Sequence, residues 1–232
     1  MKELWIVLCF CIHSLFSFGQ GGGSTSVLND PSRNQNLHDS INKVKSLLFC
    51  SSLMGSAFIL NKSKLFNIDQ SIKSERDENY FKFRTKVDDY LQFAPILAGY
   101  VMGLSGDKSN LWYYTKRLFV TEAMIGILVP KLKTWSRVKN PNTDHYNAFP
   151  SGHTAQAFAA ATLVSDHFCK KKPVLIGLAY GSAAAVGCLR VLNNKHWATD
   201  ILAGAAFGIF TAKVSEILIK PRRGKRTHQI QE

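Results

Sequence analysis

Apolar residues in this chain come in long blocks separated by charged stretches. The blocks fall at about Val44 to Leu60, Leu91 to Leu104, Leu118 to Leu132, Thr154 to Phe168, Val174 to Leu192 and Trp197 to Ile219. None shows the period-two alternation of a half-buried strand, and no segment repeats, so the pattern predicts helices throughout. Between the first two blocks, "NKSKLFNIDQSIKSERDENYFKFRTKVDDY" is charged along its length. It reads as a loop with amphipathic helical pieces.

The start, "MKELWIVLCFCIHSLFSFGQ", has one Lys, an apolar stretch from Leu4 to Phe18, and small residues at Ser17 and Gly19 before Gln20. That is the pattern of a secretory signal, with an uncleaved anchor as the alternative. "GGGSTSVLNDPSRNQN" follows as a linker rich in turn formers. The expected organisation is a signal peptide or anchor at 1–19, a linker at 20–36, a helical domain at 37–219 and a basic tail at 220–232. The expected fold class is all-α, a bundle of about five to six apolar helices with the functional site at one end, embedded in a membrane.

Most of the apolar runs fall short of the ~20 residues of a usual bilayer span, so length alone favours buried helices of a soluble protein. Two patterns point the other way. "GLAYG" at Gly177 to Gly181 and "GAAFG" at Gly204 to Gly208 set small residues four apart, as in helices that pack closely within lipid. Basic residues also cluster at Lys108, Lys116 and Arg117, at Lys170 to Lys172, and after Lys220. If the last three blocks cross, these clusters all face the cytoplasm and the turn before Thr154 faces outward. A cleaved signal would reverse that parity, unless Val44 to Leu60 does not cross.

Composition narrows the partners. The 232 residues are 46% hydrophobic and include 16 Gly, which suits close-packed helices. A mean hydropathy of -0.05 is low for a chain made only of spans, so membrane embedding rests on the segments. The formal charge of +13 admits nucleic acid, an anionic bilayer or a phosphorylated substrate. The basic "KKKP" and "KPRRGKRTHQIQE" sit directly beside apolar blocks, which favours acidic lipid headgroups over nucleic acid. The five Cys show no zinc-ligand spacing and imply no disulfide framework.

The candidate chemistry begins at "NAFPSGHTAQAFAAA", a polar turn that opens directly into a helix of small apolar residues. A helix starting there presents unpaired backbone N–H groups and a positive dipole end to an oxyanion, with Ser151 as its cap. His153, on the first turn, is placed to protonate a departing oxygen. In "CLRVLNNKHWATDILAG", His196 and Asp200 are four apart and share a helix face. Asp200 can therefore fix the tautomer of an imidazole whose other nitrogen attacks. Arg190 carries a planar fork suited to two phosphate oxygens. Upstream, "PKLKTWSRVKNPN" supplies Lys131, Lys133, Arg137 and Lys139.

The order of these features resembles the type 2 phosphatidic acid phosphatase superfamily, which also holds bacterial nonspecific acid phosphatases and vanadium haloperoxidases. Its motifs read K-x-x-x-x-x-x-R-P, P-S-G-H and S-R-x-x-x-x-x-H-x-x-x-D. The second is intact at Pro150, Ser151, Gly152 and His153. The third is intact at Arg190, His196 and Asp200, with Leu189 in place of Ser. The first departs: with Pro141 aligned, Lys133 holds the Lys position but Asn140 stands where Arg is usual. The resemblance covers roughly Asp89 to Ile219.

The resemblance implies that His196 is a nucleophile forming a phosphohistidine, Asp200 its orienting partner and His153 the acid for the leaving group. It implies that Lys133, Ser151, Gly152 and Arg190 hold the phosphoryl oxygens, with Arg137, Lys139 or Asn140 at the place of the missing Arg. No metal or cofactor is implied. Within the membrane branch, the implied activity is hydrolysis of phosphate monoesters or diphosphates of membrane lipids at the outer face of a bacterial inner membrane. Two alternatives remain open: a soluble periplasmic nonspecific acid phosphatase, and a membrane scaffold weakened catalytically by Asn140.

Overall fold

The computed structural model describes residues 31–62, 68–105, 108–169 and 172–219. The expected signal or anchor and the basic tail lie outside these residues. The described elements are α-helices: α1 (Pro31–Lys62), α2 (Ile68–Asn79), α3 (Val87–Leu91), α4 (Ala94–Leu104), α5 (Lys108–Ser136), α6 (Gly152–Phe168), α7 (Pro173–Leu192) and α8 (Ala198–Leu218). The apolar blocks form α1, α4, α5, α6, α7 and α8, and the charged stretch supplies α2 and α3. The first helix begins at Pro31, earlier than the Leu37 expected for the start of the folded part. A proline tolerates the first helical turn, where its missing N–H has no partner to lose, and the polar residues after it continue the helix.

Side-chain bonds at the two ends fix the direction of each helix. At one end Lys43 of α1 pairs with Glu216 of α8 at 3.0 Å. At the other end Asn61 of α1 donates to Thr199 Oγ1 of α8 at 2.8 Å, so the two helices are antiparallel over the whole bundle. The N-terminus of α6, the C-terminus of α7 and the N-terminus of α8 meet at the Asn61 end. α1 thus runs the full length beside α8, along the block from Val44 to Leu60 whose crossing the sequence left open.

The centre of the bundle is the pair α6 and α8. Their axes come close because both carry runs of small residues. A methyl group added at Gly204 would come within 2.6 Å of the Ser151 carbonyl oxygen, and one at Gly208 would strike the Ala155 carbonyl. Only hydrogen fits there, so the "GAAFG" pattern does what it predicted. "GLAYG" does not: a methyl at Gly177 or Gly181 meets no atom within 4 Å. Those glycines lie on an outer face, next to exposed Val174 and Leu178.

Around this pair, Ala157, Phe158, Ala161, Val186 and Ile209 form one buried apolar cluster, and Ile125, Val129, Ala155 and Phe207 another. The outer faces carry exposed Leu48, Leu97, Phe119, Leu178 and Leu218, a surface that water does not favour and lipid does. α7, α8 and Leu37–Lys62 of α1 are long and apolar enough to cross a membrane. The protein is an all-α membrane protein.

At the end away from the PSGH turn, Arg117 is buried, donates to the Ala212 carbonyl at 3.0 Å and lies 3.5 Å from Asp166, which also pairs with Lys213 at 2.8 Å. Arg117, one of the basic residues expected to face the cytoplasm, is thus tied inside the bundle.

Candidate active site

The turn from Asn147 to Ser151 is where three distant segments meet. Its Ala148 N–H donates to the Val138 carbonyl at 3.0 Å, Ser136 Oγ donates to the Phe149 carbonyl at 3.0 Å, and the Lys133 ammonium donates to the Asn147 carbonyl. These bonds stitch the turn to the end of α5. On the other side, Ser151 N–H donates to the Asp200 carbonyl at 3.0 Å, joining the turn to the first turn of α8. Ser151 itself is fully buried and caps α6, its Oγ accepting from Thr154 N–H at 3.4 Å and from Thr154 Oγ1 at 2.9 Å. The start of α6 thus lies beside the Lys133 ammonium and the first turn of α8, with the positive end of its dipole there. A methyl group added at Gly152 would meet Val129 at 3.6 Å, an ordinary contact.

His196 lies in the short loop between α7 and α8 and is buried. Its Nδ1 is 3.4 Å from Asp200 Oδ2, and the same carboxylate oxygen accepts the Trp197 N–H at 2.8 Å. Asp200 is at the third position of α8, so one carboxylate both satisfies the helix start and faces the imidazole. Burial holds the His196 pKa well below the ordinary histidine value, with the nearby Lys133 and Arg190 cations pushing the same way against the Ala148 carbonyl. The ring is therefore neutral at neutral pH, the form that can attack. Burial also lowers Lys133, to about 8, Arg190 adding to the effect and Asp200 opposing it.

Arg190, in the last turn of α7, is buried between carboxylates that motif reading did not identify. Its Nη1 donates to Asp88 Oδ2 at 2.8 Å and lies 3.4 Å from Asp89 Oδ1. Asp88 is fully buried and also accepts the Asn193 Nδ2–H at 3.0 Å, while Asn193 exchanges bonds with the Thr85 backbone at 2.9 and 3.0 Å. These contacts clamp α3 to the turn after α7. The Arg190 Nε–H is buried without a protein partner, and so is Asp200 Oδ1. A buried donor of this strength normally has an acceptor, and a phosphoryl oxygen is one such acceptor.

His153 lies on the first turn of α6 and its Nε2 is 3.0 Å from Asp89 Oδ1. Burial lowers its pKa first and the Arg190 cation second, while the Asp89 carboxylate opposes both. The three groups offered for the place of the missing Arg have different surroundings. Arg137 is exposed, with a left-handed φ of 48° that ends α5. The Lys139 ammonium is 2.8 Å from exposed Asp144. The Asn140 amide donates to the Lys195 carbonyl at 2.9 Å. Asp88, Asp89, Asn193 and Lys195 are the residues around Arg190 and His153 that sequence reasoning did not single out. "KVDDY" gives no spacing signal that ties it to Arg190, whose pairing with it is purely tertiary.

Comparison with known proteins gives the chain's relatives. Residues 111–223 match the family model of the PAP2 superfamily. The lipid A 1-phosphatase of Porphyromonas gingivalis is 33% identical over 167 residues, 68% of this chain and 37% of that protein. The probable lipid phosphate phosphatase 4 of Arabidopsis thaliana is 33% identical over 95 residues, 36% of this chain and 31% of that protein. The chain spans about a third of the length of these curated relatives. Among solved structures, the first transmembrane PAP2 type phosphatidylglycerolphosphate phosphatase from Bacillus subtilis shares the fold, with a TM-score of 0.51 at 20% identity over 75% of this chain and 98% of that one. With its bundle built around the PSGH turn and most of the bundle inside the matched family region, the chain belongs to the PAP2 superfamily.

Proposed function

We propose that this protein is a metal-independent phosphatase that hydrolyses phosphate monoesters or diphosphates of membrane lipids through a phosphohistidine. The observation that carries this reading is the meeting of Lys133, His153, Arg190 and His196, from three separate segments, around the turn that starts α6. Such a set supplies what phosphoryl transfer needs most, namely a positioned nucleophile and fixed positive charge.

With Nδ1 facing Asp200, Nε2 of His196 is the attacking atom. The P–N bond forms as the bond from phosphorus to the lipid oxygen breaks, and that oxygen takes the proton of His153. Water then attacks phosphorus, returns a proton to His153, and the P–N bond breaks to release inorganic phosphate. Lys133, Arg190 and the N–H groups at the start of α6 hold the charged oxygens meanwhile. Phosphatidate-like lipids, phosphatidylglycerol phosphate, polyprenyl diphosphate and lipid A phosphates are the substrate class. The apolar outer surface favours this membrane reading over a soluble acid phosphatase. In a bacterial inner membrane, the clusters around Lys116 and Lys172 would lie in the cytoplasm and the PSGH end in the periplasm.

The test is phosphate release from these lipids in mixed micelles by wild type and His196→Ala, with acid-labile, base-stable labelling of the protein by substrate phosphorus. Release and labelling that both vanish in the variant are expected. A wild-type protein silent on every lipid, or a variant with full activity, overturns the proposal.

A further inference from the structure

Asn140 stands where a phosphate-binding cation is usual, which leaves the site one positive charge short. The turn between α7 and α8 carries a cation in reach of the same place. Lys195 Nζ lies 3.9 Å from Asp88 Oδ2 and 4.0 Å from Asp89 Oδ1. Asp89 Oδ1 is also the atom approached by His153 Nε2 at 3.0 Å and by Arg190 Nη1 at 3.4 Å. One acidic oxygen is therefore the focus of three basic groups, from α6, α7 and the loop after it. Asp89 is half-exposed, so that oxygen marks a position that solvent reaches and that an oxygen of an incoming oxyanion would contest.

The backbone at Lys195 is held on both sides. Its N–H donates to the Arg190 carbonyl at 3.0 Å, and its carbonyl accepts the Asn140 Nδ2–H at 2.9 Å. The preceding Asn194 has a left-handed φ of 56°, a conformation asparagine tolerates better than most residues. This turn aims a flexible side chain from a fixed base. The residue that replaces the usual cation is thus bonded to the residue that carries a new one.

We propose that Lys195 is the phosphoryl-gripping cation that the first motif lacks, and that Asn140 positions it by bracing its backbone. This deepens the phosphatase reading and rests on it for the identity of the oxyanion. The loss of Arg at 140 then leaves the charge around the phosphoryl group unchanged, because the charge comes from the third motif's own loop.

The test uses the full chain in detergent micelles, with inorganic orthovanadate as the probe and calorimetric titration as the readout. Lys195→Met is expected to weaken orthovanadate binding about tenfold or more, the scale of a lost charge-assisted contact, while Lys195→Arg stays within about twofold. Asn140→Ala is expected to weaken binding less, and to add nothing in the Lys195→Met background, because it acts through Lys195. Equal affinity in wild type and Lys195→Met overturns the role of Lys195, and additive losses in the double variant overturn the role of Asn140. Lys195 is exposed at its charged end, so these variants leave the bundle packing intact. Lipid hydrolysis by wild type and His196→Ala, measured alongside, separates the two claims. A wild type silent on lipids with Lys195→Met still defective in orthovanadate binding sinks the phosphatase reading and keeps the cation site. An active wild type with Lys195→Met unaffected in binding sinks the cation site alone.

Discussion

Asp89 Oδ1 lies 3.0 Å from His153 Nε2, so a carboxylate outside all three motifs touches the imidazole proposed to protonate the leaving group. It supports the charged imidazole against burial and the Arg190 cation, which both lower the His153 pKa. Removing the carboxylate removes the larger of the two acidic influences that raise it, leaving only the more distant charge of Asp88. In Asp89→Asn, kcat/KM is expected to start declining at lower pH than in wild type, because the acid form is lost earlier on the way up. Orthovanadate affinity is expected to rise as a competing anion leaves the site. A pH profile unchanged on the alkaline side would show that His153 and Asp89 are not coupled in the working enzyme.

Lys133 supplies the next prediction. Burial brings its pKa down to about 8, so it loses its proton within reach of ordinary assay conditions. Its cation is present below that pH and gone above it. Orthovanadate affinity, which does not need His153 as an acid, is expected to fall above about pH 8 in wild type. Lys133→Arg, which stays charged, should extend the plateau upward by more than a pH unit. Coincident profiles for the two proteins would remove Lys133 from the phosphate grip.

Asp88 is fully buried and balances Arg190 while holding Asn193. Asp88→Ala leaves that guanidinium with a weaker partner and loosens α3 from the α7–α8 loop. A loss on the order of 3 kcal/mol is expected, the range for breaking one side of a buried pair. Asp88→Asn, which keeps the Asn193 acceptor, should lose less. Denaturation in detergent, followed by circular dichroism, measures both, and equal stability of all three proteins would contradict the pairing.

The two small-residue patterns make opposite predictions. A methyl at Gly208 strikes the Ala155 carbonyl, which belongs to helix backbone and cannot turn aside, whereas a methyl at Gly181 meets nothing. Gly208→Ala is expected to lower the unfolding midpoint, by an overpacking cost of about 1–3 kcal/mol. Gly181→Ala is expected to leave it level or raise it, since alanine favours a helix by about 1 kcal/mol over glycine. Similar effects at the two positions would mean that α6 and α8 are not in backbone contact.

The contrast between these glycines also shows what the sequence carried. Apolar blocks, the Ser151 cap and the separation of His196 from Asp200 are local patterns, and the helices and the motif residues follow from them. The face that a helix turns inward is not local, so "GLAYG" and "GAAFG" read alike although one packs and the other does not. Asp88 and Asp89 were hidden for the same reason. They sit in a charged stretch far along the chain from Arg190, and only the fold brings acid to base. Asn140 read as a deficit because its partner, the Lys195 carbonyl, belongs to backbone, which has no sequence signature.

The close approach of α6 and α8 has one more consequence. His153 begins one of these helices and Asp200 the other, and Gly204 and Gly208 leave no room for either helix to slide. The side of the proposed site that carries His153 and Asp200 is therefore a fixed jaw. The opposite wall, short α3 with Asp88 and Asp89, is fastened by side chains alone. A change in that wall therefore alters what the pocket admits and, through Asp89, the proton affinity of His153 as well.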